Sequence, residues 1–294
     1  MSASVIDTLA SQLRLIAINI RYEIRLKISQ ISILFNFFSN KRPRPHGLDS
    51  RLVVSLTSYP PRFNNLHWTI KCLLAQNIAA DHVILWISES DKNLLPNDVI
   101  SLKKRGLEIK FCKDIKSYKK IIPALNEYLD CFIVTADDDV CYSYDWLEGL
   151  VGESRNHPET VICHRAHKIK VDHHGEPIDY AKWELSTDYS CISPMIFPTG
   201  VGGVLYPPNC FYQDVCKEEI FMRLCPSGDD IWLFWMTRLS GVNAKKTRYK
   251  FDLITWRGSQ DAALWINNVT GKLNDDQIKK MITEYGFSFF DADH

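Results

Sequence analysis

Over the first forty residues, apolar positions recur every three or four: Ile6, Leu9, Leu13, Ile16, Ile20, Ile24, Ile28, Ile31 and Phe35. That period predicts one or two helices across 4–38. Lys41-Arg42-Pro43-Arg44-Pro45 follows, a basic linker whose prolines stop a helix. From residue 50 the pattern changes to short continuous apolar runs. Those at 52–56, 83–87, 107–110 and 131–135 read as buried strands, with helices expected at 65–76, within 91–105 and at 121–128. Strands alternating with helices at this spacing predict βαβ units and a mainly parallel sheet. Beyond them, 146–154 reads as a helix and 161–167 as a strand leaving the cleft. The stretch 169–199 is irregular and rich in turns, and 199–206 reads as a glycine-rich strand ended by Pro207 and Pro208. A helix apolar nearly all round opens after Ser227, a loop is expected at 255–261 with 262–267 following, and a closing helix at 274–285 takes Asn274 as its cap. The organisation expected is an amphipathic segment and linker over 1–46 and one α/β domain over 47–294.

Composition narrows this picture. The 294 residues are 46% apolar, enough for one large α/β domain or two small ones. Thirty-five basic residues balance thirty-five acidic ones, which argues against general nucleic-acid binding and leaves a local phosphate site open. Nine cysteines are scattered without a CxxC pair, so buried thiols in a reducing compartment are expected rather than a disulfide scaffold. No apolar run approaches the ~20 residues that cross a bilayer, and the N-terminus lacks the pattern of a secretion signal. A cytoplasmic protein is expected, and Asn268-Val269-Thr270 is then an accidental glycosylation sequon. Arg14, Arg21, Arg25 and Lys27 make 4–38 suited to the inner face of a membrane as a peripheral helix. Packing on the domain or on a second subunit explains the same stripe, and both readings stand.

The candidate chemistry begins with Thr135-Ala136-Asp137-Asp138-Asp139, three carboxylates directly after an apolar run. Such a cluster at the lip of a buried strand is too costly to leave without a cation, solvent or ligand. Alternation lets Asp137 and Asp139 point the same way while Asp138 points elsewhere. Magnesium or manganese already held by phosphate oxygens needs one or two carboxylates and water. An acidic turn capping a helix near Tyr142 is the plainer reading. Parallel sheets bind ligands outside the carboxyl ends of their strands. That rule gathers Thr57, Tyr59 and Arg62 after the first strand, Ser88 and Glu89 after the second, Asp114, Tyr118 and Lys119 after the third, and the Asp triplet after the fourth. The set suits a nucleoside diphosphate with its metal. The turn after the first strand has no glycine, which disfavours a dinucleotide fingerprint or a P-loop. Downstream, Ser227-Gly228-Asp229-Asp230 sets two more carboxylates at a helix start, either as first-turn charges below a Ser227 cap or as a fixed general base. The glycines of 200–203 permit a bulge or a close approach to ligand. His164, His167, His173 and His174 have no zinc-ligand spacing.

The segments 54–62, Lys120-Ile121-Ile122-Pro123-Ala124-Leu125, 133–139, the Gly-Val-Gly-Gly strand and Gly228-Asp229-Asp230 together resemble the inverting GT-A glycosyltransferases. The likeness is to bacterial family-2-like enzymes that build surface polysaccharides, and it spans about 51–270. The resemblance implies a three-layer α/β fold and a nucleotide-diphosphate sugar donor, with UDP the commonest nucleotide. It implies manganese or magnesium on Asp137 and Asp139, and a catalytic base in Asp229-Asp230, with Asp230 at the matching position. It also implies a glycan or lipid-linked glycan acceptor beside Gly202 and Gly203. On that reading Thr57 and Tyr59 seat the nucleobase and ribose, and Asp114 reads the base edge. Arg62, Lys119 and Arg165 are candidate phosphate contacts, Glu89 and Asp138 lie in the nucleotide pocket, and Trp256 stacks on a sugar unless it is core. Two other functions fit the same residues: another magnesium-dependent nucleotide-using transferase, or a non-catalytic carbohydrate-binding or scaffold protein.

Overall fold

In the computed structural model, which describes residues 3–39, 41–250, 252–258 and 273–287, the N-terminal period forms a single helix, α1 (Ala3–Phe38). At 36 residues it is ~54 Å long. Both faces of β1 (Leu52–Thr57) are buried, which is why its sequence is apolar without alternation. Leu52, Val54 and Leu56 enter the main core with Leu66 and Ile70 of α2 (Phe63–Leu74), and Val53 packs on the opposite face. The chain continues through β2 (His82–Ser88), α3 (Asn97–Ser101), β3 (Leu107–Cys112), α4 (Ile122–Glu127) and β4 (Phe132–Ala136). Then follow α5 (Trp146–Asn156), β5 (Val161–Cys163), β6 (Ala166–Lys168), β7 (Ile196–Pro198) and β8 (Val204–Tyr206). The C-terminal part holds α6 (Glu218–Leu224), α7 (Asp229–Leu239), β9 (Ala244–Lys246) and a last helix, α8 (Leu273–Tyr285).

The architecture is mixed α/β around a mostly parallel seven-stranded sheet of order β3-β2-β1-β4-β8-β5-β9, with β6 and β7 forming a separate ribbon. β1 pairs in parallel with both β2 and β4, in the register Ser55 opposite Thr135 and Leu56 opposite Ala136. Among the described strands of this sheet, only β8 runs antiparallel to its neighbours. Helices cover both faces: α2 and α5 contribute to one core, α4 to a second, and α6 and α7 to a third. Because the chain goes to β2 on one side of β1 and returns to β4 on the other, the order reverses at β1. The crevice at the carboxyl ends of β1 and β4 is therefore the natural ligand site.

Several local expectations change. The run 161–167 is not one strand: His164, buried against the Trp146 carbonyl (2.9 Å) and Thr247 Oγ1 (2.7 Å), turns the chain from β5 into the ribbon. The glycine-rich stretch is a turn before a three-residue strand, with φ of 100° at Gly202 and 95° at Gly203. A Cβ on Gly203 would come within 2.5 Å of the Trp146 ring, so packing requires that glycine. No helix begins at Tyr142; α5 starts at Trp146, so the Asp triplet caps nothing. Gly228, not Ser227, precedes α7, and Ser227 N–H donates to Gln277. Asn274 lies inside the first turn of α8. The expected elements at 259–261 and 262–267 and the sequon at 268–270 fall outside the described residues. Among the described residues, no helix is long and apolar enough to cross a membrane.

Candidate active site

A cleft of about 790 Å³ opens at the β1–β4 crevice. Thr57, Tyr59 and Arg62 reach it from the end of β1; Asp114, Lys119 and Lys120 from the segment after β3; Asp137, Asp138 and Asp139 from β4; and Asp229 and Asp230 from the start of α7. Two acidic clusters ninety residues apart in sequence thus share one cavity.

The loop after β4 is fixed on every side. Asp137 N–H donates to Tyr142 Oη at 2.8 Å. Asp138 accepts from Ser58 Oγ (2.5 Å) and Arg62 Nη1 (2.7 Å). Arg62 Nη1 also lies 3.4 Å from Asp139 Oδ2. Asp138 therefore holds Arg62 while lining the cleft. Behind the loop, Thr69 Oγ1 lies 2.9 and 3.0 Å from the carbonyls of Asp138 and Val140. Trp256 Nε1–H donates to that same hydroxyl (2.7 Å), and Trp256 N–H to the Asp139 carbonyl (2.9 Å). Trp256 is buried in the core and braces the acidic loop, so the sugar-stacking role is not its place.

The link between the clusters is a residue that sequence reasoning passed over. Lys120 Nζ lies 3.3 Å from Asp137 Oδ1 and 3.0 Å from Asp229 Oδ2, with its side chain 9% exposed. Its backbone is set by β1, where buried Ser55 Oγ donates to the Lys120 carbonyl at 2.6 Å. Burial opposes its charge, but Asp229, Asp137 and Asp230 outweigh that and hold its pKa well above the ordinary lysine value. The available signal was a second lysine, after Lys119, directly before the apolar Ile121-Ile122 that leads into α4. Asp230 sits beside it, with both carboxylate oxygens 3.0 Å from Gly200 N. Burial and the charge of Asp229 push the Asp230 carboxyl up, with Lys120 and the Gly200 N–H partly offsetting them. A Cβ at Gly200 would fall 2.8 Å from Lys120 Nζ and 3.0 Å from Asp230 Oδ1. Lys120 cannot retreat without leaving its carboxylates. Gly200→Ala is therefore expected to keep the fold, read by circular dichroism, and to cost about 10²-fold in turnover through misplacement of both groups.

The remaining expected contacts divide. Thr57 Oγ1 donates to the Trp86 carbonyl at 2.8 Å, and its residue lines the cleft beside Tyr59, over whose ring Arg62 lies at 5.6 Å. Lys119 Nζ bonds Asp114 Oδ1 at 2.5 Å, and that bond lowers the Asp114 pKa. Arg165 lines the opposite wall and donates to Thr199 Oγ1 at 3.0 Å. Glu89 begins an exposed 3₁₀ turn after β2 and does not line the cleft. Gly202 and Gly203 do not line it either; the neighbours that do are Gly200 and Val201. Gly202 instead offers its carbonyl to Trp146 Nε1 at 2.6 Å.

Among the described residues, no three His, Cys, Asp or Glu side chains form a preassembled metal cage. A cation shared with phosphate oxygens does not need one. The donor chemistry fits: five carboxylates, Asp137, Asp138, Asp139, Asp229 and Asp230, line one cleft, with Arg62 ion-paired to Asp138 and Asp139 and Lys120 to Asp137 and Asp229. Burial, then the charge of Asp137, pushes the Asp139 carboxyl up to about 7, a cost that a cation would relieve. Since binding requires the ionised form, Mn²⁺ affinity measured by calorimetry is expected to fall about tenfold per pH unit below 7 and to level off above it. The same raised pKa makes the metal-free fold lose stability as pH climbs from about 4 to 7.

No family model matches the chain, and no curated protein matches it by sequence. Solved structures do resemble it. One is a 4-diphosphocytidyl-2C-methyl-D-erythritol synthase, 11% identical, covering 80% of this chain and 100% of its own at a TM-score of 0.40. A second is the inositol-1-phosphate CTP transferase from T. maritima, 11% identical over 77% of this chain and 97% of its own, TM-score 0.44. A third is the mannosyltransferase PcManGT from Pyrobaculum calidifontis, in complex with GDP-Man and Mn²⁺. It is 13% identical over 79% of this chain and 64% of its own, TM-score 0.40. Likeness this distant carries no functional argument; the cleft has to carry it.

Proposed function

We propose that the protein is an inverting glycosyltransferase of GT-A type, moving a sugar from a nucleotide-diphosphate donor, UDP being the commonest, to a hydroxyl of a glycan or lipid-linked glycan. The observation that carries this reading is Lys120 standing between Asp137 and Asp229, at 3.3 and 3.0 Å, so that the two acidic clusters face one space. Asp137 and Asp139 would hold Mn²⁺ or Mg²⁺, which when bound supplies positive charge against the leaving diphosphate. Arg62 and Lys119 add fixed positive charge on the donor side, and Thr57, Tyr59 and Asp114 form the wall for the nucleoside. Asp230 takes the proton from the acceptor hydroxyl; its raised pKa makes it a stronger base than an ordinary carboxylate. Asp229, paired with Lys120, fixes the local charge. Direct displacement needs no protein nucleophile.

The test is release of nucleoside diphosphate from a panel of nucleotide sugars, with and without Mn²⁺. The wild-type protein should release it only with metal, and Asp139→Ala should release none. A carbohydrate-binding or scaffold protein would bind sugar without metal and release nothing.

A further inference from the structure

α1 is apolar on two opposite sides, and from Tyr22 onward the body of the protein uses only one of them, while residues 12–20, Leu15 and Ile18 included, are exposed all round. Leu26, Ile33 and Phe37 are buried in the main core, and Tyr22 donates to the Thr255 carbonyl. Arg25 pairs with Asp252, and Glu23 with Arg257. On the other side, Leu13, Ile16, Ile20, Ile24, Ile28, Ile31, Phe35 and Phe38 are 53–71% exposed. At ~100° per residue these eight fall within an arc of about 120°, opposite the buried set, and they run for about 37 Å along the helix. Within that arc the one charged side chain is the exposed Lys27, and an outward line of large aliphatic and aromatic side chains of this length is far more than scattered surface hydrophobics.

The charges around the line say what covers it. Residues 3–46 hold seven Lys or Arg against two Asp or Glu, in a chain of zero net charge. Arg14 and Arg21 are exposed beside the line, and Lys41 and Arg42 just past its end. From 12 to 38 the one carboxylate is Glu23, already engaged by Arg257. A second copy of the helix suits this poorly. The successive four-residue steps 16–20–24–28 break the alternation of three and four that a coiled-coil seam needs, and a twofold pairing would bring like charges together with no acidic partners.

We propose that the outward face of α1 lies on an anionic lipid bilayer, its Ile, Leu and Phe side chains in the interface and its arginines among acidic headgroups. This surface stands independently of the chemistry in the cleft. One consequence does rest on the transferase reading. The segment that α1 grips includes Leu253 and Thr255, which line the cleft, so docking would set the cleft beside the lipid surface where a lipid-linked acceptor arrives.

The test is sedimentation of the full chain with vesicles of phosphatidylcholine alone or containing about a quarter phosphatidylglycerol. The wild-type protein should pellet with the anionic vesicles and much less with the neutral ones. Ile24→Asp/Ile31→Asp should weaken partition at least ~100-fold. Arg14→Gln/Arg21→Gln should weaken it ~25-fold, about fivefold per charge, with no change in neutral-vesicle binding. All four side chains point outward, so circular dichroism should match the wild type. Absence of wild-type binding, or binding undiminished by the Ile pair, would overturn the proposal. So would a wild-type dimer in light scattering that the Ile pair splits while vesicles bind neither protein; a second copy would then cover the stripe.

Discussion

Asp230→Asn is expected to lower kcat by about 10²–10⁴-fold while leaving nucleotide-sugar affinity nearly unchanged. The substitution keeps the side-chain shape and an oxygen that can accept from Gly200 N–H, at 3.0 Å in the wild type. It removes one charge from a site where Asp229 and Asp230 repel each other, so thermal stability should hold or rise. Loss of turnover with a retained or higher Tm separates a proton acceptor from a structural carboxylate. The pH profile carries the same sign: burial and Asp229 raise the Asp230 pKa, so wild-type kcat/KM should climb with pH until that group is ionised and then flatten. If Asp230→Asn kept its activity and Asp229→Asn lost it, the base would be the carboxylate paired with Lys120.

The largest effect on stability is expected at Lys120. Lys120→Met leaves Asp137 and Asp229 facing each other without the ammonium between them, and breaking a buried pair by removing one member costs ~3–5 kcal/mol. Urea unfolding should show this as a lowered midpoint with an unchanged slope. The deficit should be greatest near pH 8 and shrink toward pH 5, because Lys120 lowers the Asp230 carboxyl, and removing the ammonium raises that group further. A raised folded pKa means stability present at low pH and lost as pH rises. An unchanged midpoint would mean that the lysine is not the link.

How far the sequence revealed this site depends on the range of the forces involved. β1 and β4 were legible because strands buried on both faces are continuous apolar runs, and the position of Asp137, Asp138 and Asp139 at a strand end followed directly. Strict alternation did not carry through the loop, because Asp138 and Asp139 share Arg62 Nη1 while Asp137 pairs with Lys120. Lys120 and Gly200 were not legible, because their roles exist only where the 3₁₀ turn before α4, the turn before β8 and the start of α7 meet. Trp256 looked like a candidate platform for sugar, yet its partners are Thr69 and Asp139, far away in sequence. Gly202 and Gly203 carried the visible glycine signal but serve a turn packed on Trp146, while Gly200, two residues earlier, meets the cleft. Glu89 followed the strand-end rule and failed because the chain turns away from the crevice after β2. At α1 the apolar period was plain, but only the packed structure divides it into an inner and an outer face.

The central claim is that the Asp137–Asp139 loop and the Asp229–Asp230 pair serve one metal-and-donor site. Anomalous diffraction from crystals grown with Mn²⁺ and a nucleoside diphosphate tests it most directly. The prediction is one manganese peak within coordination distance of Asp137 or Asp139, with diphosphate in the cleft and Asp230 facing the space beyond it. Manganese absent from that loop, or nucleotide bound elsewhere on the protein, would contradict it.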